Sequence, residues 1–191
     1  MVQFSLPMEE LDLKKIKNII ESLLFVTKKP LTVEEFEKAV SIPSEVVRAA
    51  LEELKAEYSD RGFQIVEVAG GFEMATRAEN APYIDKLLHS PIETTLSAAA
   101  LEALAIVAYK QPVTRSEIEK IRGVISDSVI KTLLEKCLIE EVGRGESVGR
   151  PILYGTSQEF LRHFGLKDLT TLPPLPAKGP EEYRLPPELH G

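Results

Sequence analysis

A chain of 191 residues with 43% hydrophobic and 28% charged side chains has the balance of an ordinary globular protein. Its formal net charge of −7 excludes a protein that coats duplex DNA, because phosphate neutralisation by Lys and Arg supplies most of such binding. Residues 1–90 hold 11 Lys+Arg against 16 Asp+Glu and residues 91–191 hold 12 against 14, nets of −5 and −2, so neither half is a basic module. The one cysteine, Cys137, excludes an internal disulfide and fits a reducing compartment. No basic stretch leads into an apolar run at the N-terminus, so no secretion signal is expected. No uninterrupted apolar run approaches the roughly 20 residues that span a bilayer. The expected location is the cytoplasm.

In chain order, residues 1–11 carry little pattern and are expected to be loose. From Asp12 a helix begins, with Leu13, Ile16, Ile19, Ile20, Leu23 and Leu24 on one amphipathic face. Each such side chain stabilises by about 1.5–3 kcal/mol if fully buried, so the face must dock against a core or, in part, a second copy. A second helix follows Pro30 and Thr32, and a third runs over 44–60 to Gly62. Phe63–Val68 and Phe72–Thr76 then flank Ala69-Gly70-Gly71, a strong hairpin signal. A short helix at about 80–89 and a break at Ser90-Pro91 close this unit.

The next unit repeats the first. Residues 25–38 align with 107–120 at an offset of 82, and six of the fourteen pairs are identical, among them Pro30/Pro112, Thr32/Thr114 and Glu35/Glu117. Each proline biases its predecessor to extended backbone, and each Thr with Glu three residues on forms a capping box. Beyond the turn the offset becomes 83, where Val46–Leu54 matches Val129–Cys137. The slip falls between two helices, where loops absorb insertions.

The second copy opens with a helix from Leu96 to Tyr109 that is apolar nearly all round, which predicts cover on more than one side. Gly123 stops the following helix, and Ser126 or Asp127 starts the next. That helix carries Val129, Ile130, Leu133, Leu134 and Cys137 as an apolar stripe, with Cys137 read as a small buried hydrophobe. Strand-like runs at Leu138–Val142 and Ile152–Tyr154 form a second wing. A last helix spans Ser157–Phe164, and six prolines in residues 172–191 predict a disordered or extended tail. The expected fold is mainly α (α+β), two tandem winged helices with small hairpin wings. Their expected extents are 12–90 and 91–170, followed by a proline-rich tail at 171–191.

No catalytic constellation emerges, and no cofactor or metal is expected. His89, His163 and His190 lie in separate segments, and no His/Cys pair has ligand spacing. The loop Gly143–Gly149 resembles a phosphate cradle, but it joins two strands rather than leading into a helix N-terminus. Winged helices often read DNA. Here helix 44–60 carries five acids against Arg48 and Lys55, and helix 126–137 is neutral, whereas base reading wants Arg, Lys, Asn and Gln. The basic grouping comprises Arg144 and Arg150 of the second wing with Arg115, Lys120 and Arg122 nearby. Arg144 and Arg150 are therefore the candidate DNA contacts if the chain is instead a dimeric winged-helix transcription regulator.

The strings Leu96 to Ile118, Arg122 to Asp127, Gly149 to Thr156 and Phe160 to Leu166 closely resemble the bacterial segregation and condensation protein B family. The resemblance covers about residues 12–176; it departs at Ser128, where the family's turn has Gly, and at Cys137, where Gly or Lys is commoner. It implies tandem winged helices, a homodimer formed mainly by the first, and binding to the kleisin subunit, segregation and condensation protein A. The kleisin bridges an SMC ATPase dimer in a complex that compacts and segregates chromosomes, which implies a nucleoid-associated protein with weak or indirect DNA contact. On this basis dimerisation is expected at Ile16 and Ile20, or on the wing face of Ile65, Val66, Val68, Phe72 and Met74. Kleisin binding is expected around Tyr109, Ile125, Tyr154, Phe160 and Phe164, apolar and aromatic anchors of the kind that dominate interfaces.

Overall fold

The computed structural model describes residues 12–88 and 96–175. The expected loose N-terminus, the Ser90-Pro91 break and the tail beyond 175 lie outside the described residues.

Helix α1 (Leu13–Val26) starts at Asp12, whose side chain accepts from Lys14 N–H, and buries Ile16, Ile20 and Leu24 at four-residue spacing. It packs on α3 (Ser44–Glu57), which buries Val47, Ala50, Leu51 and Leu54. Lys17 Nζ ties the two helices, 2.5 Å from Glu57 and 2.9 Å from Glu53, and its hydrogen bonds to Glu57 and then Glu53 push its pKa up to about 12. Between them, α2 (Val33–Val40) opens with the capping box of Thr32 and Glu35 and buries Phe36 completely. Strands β1 (Phe63–Val68) and β2 (Gly71–Thr76) pair antiparallel, with Val68 opposite Gly71. Ala69 (φ 50°) and Gly70 (φ 72°) are therefore the two central residues of a left-handed hairpin turn. Leu31 forms an isolated bridge to Phe72. A Cβ at Gly71 would sit 2.8 Å from the Leu31 carbonyl carbon and oxygen, so that approach requires glycine.

After a 3-10 turn (Ala78–Asn80) comes α4 (Ala81–Leu88), which buries none of its side chains. The second unit comprises α5 (Ala98–Lys110), β3 (Val113–Thr114), α6 (Arg115–Arg122), α7 (Asp127–Glu135), β4 (Ile139–Arg144), β5 (Ile152–Thr156) and α8 (Gln158–His163). Its sheet has the order β3-β5-β4. The repeat is physical: Val113 pairs with Tyr154 as Leu31 pairs with Phe72, both offset by 82. Ile118 is wholly buried like Phe36, and Ile130 and Leu133 occupy the places of Val47 and Ala50. Each unit has its own apolar core.

Two expectations change. The equivalence of Leu54 with Cys137 fails, because Leu54 is fully buried and Cys137 is exposed. Helix α7 ends at Glu135, and Cys137 takes a left-handed conformation (φ 54°). Its N–H donates to Leu134 O and that of Leu138 to Leu133 O, both at 2.9 Å, the paired bonds of a Schellman C-cap. The chain also stays ordered past 170. Leu169–Thr171 form a 3-10 turn, Leu172 packs against the second core, and Tyr109 OH donates to Pro173 O at 2.6 Å.

Candidate functional site

Among the described residues, apolar side chains that the fold leaves uncovered gather at three places. The first is a groove of about 610 Å³ between the end of α1 and β2, lined by Leu24, Phe25, Thr27, Tyr58, Phe63 and Met74 among others. It arises because α1 continues two residues beyond its last buried residue, Leu24, which leaves Phe25 82% and Val26 71% exposed. Tyr58 and Phe63 form one wall, with ring centroids 5.1 Å apart. Tyr58 OH donates to Glu21, and that bond pushes the phenol pKa up to about 12. Thr27 Oγ1 is buried in this wall without a hydrogen-bond partner. An orphaned buried hydroxyl is costly, and a segment bringing an acceptor or donor into the groove would satisfy it.

Helix α4 supplies the second surface, with Tyr83, Leu87 and Leu88 each more than 60% exposed. Eight residues make a marginal helix unless packing supports it, and α4 leaves these three side chains bare, with Ile84 half-buried.

The third surface is the α6–α7 turn. Gly123 (φ 73°) ends α6, with its N–H donating to Glu119 O. Ser126, fully buried, donates through N–H to Glu119 Oε1 at 3.0 Å and through its hydroxyl to Val124 O at 3.1 Å. Arg122, its side chain 5% exposed, donates to Ser126 Oγ at 2.7 Å and to Glu102 Oε2 at 3.0 Å. This network holds the turn in one shape, with Ile121, Val124 and Ile125 all exposed on it.

These placements sort the expected residues. Ile16, Ile20, Ile65 and Phe72 are core of the first unit, since α1 packs on α2 and α3 and the wing packs on α1 and α3, and Val68 is buried as well. They are unavailable to a second copy. Val66 is half-buried, and Met74 is half-buried and lines the groove. Of the expected kleisin anchors, Tyr154 and Phe160 are core residues of the second unit. Burial also raises the Tyr154 pKa. Tyr109 is half-buried and bonded to the chain's own Pro173. Ile125 is 82% exposed, and Phe164, stacked on Phe160 at 5.0 Å, is 44% exposed. The basic grouping breaks up, because Arg122 is buried against Glu102 and Arg115 pairs with Asp127 and Glu119. Arg144 donates to the Arg150 carbonyl at 3.4 Å across the wing, and among the described residues neither arginine pairs with a carboxylate. Phe25, Phe63, Ile121 and Val124 were missed as surface anchors. Their signal, an apolar residue just past a helix's last buried position or beside a capping glycine, is weak without the fold.

Among the described residues no group of three His, Cys, Asp or Glu side chains could hold a metal ion, and no helix is long and apolar enough to cross a membrane. Two winged-helix units on one repeat, with apolar rather than basic exposed surfaces, define a tandem winged-helix protein. Residues 18–175 match the family model of the segregation and condensation complex subunit ScpB. A segregation and condensation protein B from Halalkalibacterium halodurans is 51% identical over 167 residues, covering 86% of this chain and 85% of that protein. One from Desulforamulus reducens is 54% identical over 161 residues, covering 83% and 88%. A crystal structure of a dimer of the ScpB N-terminal domain complexed with ScpA peptide is 36% identical, with a TM-score of 0.38, covering 39% of this chain and 96% of that one. The chain belongs to the segregation and condensation complex subunit ScpB family.

Proposed function

We propose that this chain is a non-enzymatic, cytoplasmic and nucleoid-associated subunit of a bacterial SMC–kleisin complex. As a homodimer it holds the kleisin, segregation and condensation protein A, and so supports chromosome condensation and partition during cell division. The observation that carries the proposal is that each winged-helix unit leaves an apolar surface uncovered: the groove around Phe25, and the turn bearing Ile121, Val124 and Ile125. Membership of a family described as complex subunits supports reading both as docking surfaces. The groove takes the second copy, with the unpartnered Thr27 hydroxyl bonding across the interface. The turn takes the kleisin segment, because its rigid shape and grouped aliphatic side chains make an anchor site that costs little ordering.

Light scattering coupled to size exclusion tests this on the chain alone and mixed with the central fragment of the cognate kleisin. The expected particle is about twice 21.2 kDa and becomes a stable heavier complex with the fragment. Ile125→Asp is expected to keep the dimer and lose the complex. A dimer that ignores the kleisin fragment, yet shifts on duplex DNA at moderate salt in a manner dependent on Arg144 and Arg150, overturns the proposal in favour of a regulator.

A further inference from the structure

The two central N–H groups of a two-residue hairpin turn take no part in the strand ladder and face outward. In the first wing they meet the second unit. Ala69 N–H donates to Leu166 O and Gly70 N–H to Lys167 O, each at 2.9 Å. Ala69 itself packs against the second core. Helix α8 ends through Phe164 and left-handed Gly165 (φ 64°), so the Leu166 and Lys167 carbonyls lie outside its ladder and can accept. Two ion pairs flank these bonds. Lys167 Nζ lies 2.9 Å from Glu67 Oε1, and Arg162 Nε 3.1 Å from Glu73 Oε2. Glu67 stands on β1 and Glu73 on β2, so both strands of the wing are held as well as its tip.

We infer that this contact is a salt-sensitive latch that sets the orientation of the two winged-helix units. It opens when the flanking ion pairs are screened or reversed. The first wing, which in a DNA reader would be free to touch phosphate, is occupied within the chain. The four charged side chains are between 21% and 53% exposed. Salt ions reach such sites and weaken the attraction, since the screening length falls from about 10 Å at 0.1 M to about 3 Å at 1 M, the length of the pairs themselves. The two amide bonds and Ala69 make the closed geometry specific, and the ion pairs set how much of it is populated. Strand β2 also lines the Phe25 groove through Met74, Ala75 and Thr76. The latch therefore fixes how the surfaces of the two units face a shared partner, and it stands whether or not those surfaces bind as proposed.

Nitroxide labels on Cys137 and on a Glu45→Cys substitution, both exposed positions in different units, report the orientation by pulsed dipolar spectroscopy. Labelled full-length chain is diluted in excess unlabelled chain, so that only distances within one molecule remain. One narrow distance is expected at low salt, broadening at high salt. Glu67→Lys with Glu73→Arg is expected to leave the narrow distance as a minor population. Adding Lys167→Glu and Arg162→Glu, which restores both pairs with the charges exchanged, is expected to recover it. A distribution already broad in the parent chain, one indifferent to the double reversal, or one not recovered by the exchanged pairs overturns the inference.

Discussion

Phe25→Ala tests the groove quantitatively. A phenylalanine side chain buries about 150–250 Å² when covered. At 82% exposure, roughly 160 Å² of a mid-range 200 Å² remains open for a partner to cover. At about 25 cal/mol/Å² the ceiling is about 4 kcal/mol per copy. Ordering the side chain and partial cover reduce this to about 2 kcal/mol. A two-fold interface uses the same patch on both copies, so the dimer loses about 4 kcal/mol, roughly a thousandfold in dissociation constant. The folded protomer should be nearly indifferent, within about 0.5 kcal/mol, because an exposed side chain contributes little to its own core. Sedimentation velocity over a dilution series measures the dissociation constant, and urea unfolding of the dissociated chain measures protomer stability. An unchanged dissociation constant refutes the groove as the dimer seat. A matching loss of protomer stability refutes the premise that Phe25 stands outside the core.

Cys137→Gly should stabilise the second unit by about 0.5–1 kcal/mol, because it relieves a left-handed cysteine at the Schellman position; a lower urea midpoint would contradict this. Thr32→Ala and Thr114→Ala each remove the hydroxyl that accepts the Glu35 or Glu117 N–H. Each should cost about 1 kcal/mol, in different units and therefore additively in a double variant. The Tyr58 phenol has a folded pKa of about 12, raised from its ordinary 10.0 by its bond to Glu21. Its contribution is fully present below pH 10 and is lost as pH rises through about 12. Absorbance titration should find one tyrosine ionising last, and Tyr58→Phe should flatten the alkaline stability loss across that window.

Much of the fold is local and was legible for that reason. The capping boxes at Thr32/Glu35 and Thr114/Glu117 are read within four residues, and both form. The Ala69-Gly70 turn and the offset of 82 likewise depend on neighbours along the chain, and the offset reappears as the paired bridges Leu31–Phe72 and Val113–Tyr154. The family was legible from motifs for the same reason.

The sequence alone determined two repeated winged helices, an acidic chain and apolar residues in surplus. It could not say which apolar residues are surplus. Phe72, Tyr154 and Phe160 are inside, while Phe25, Phe63 and Ile125 are out, though all six are apolar side chains at apparently suitable positions. Burial depends on which elements meet, a contact between residues far apart in the chain. The same holds for Arg122, neutralised by Glu102 twenty residues away, and for Cys137, exposed because α7 stops two residues short of it. It holds most for the first wing, whose Glu67 finds Lys167 in the other unit. Only the tertiary structure brings such groups within bonding distance, and local pattern carries no record of that meeting.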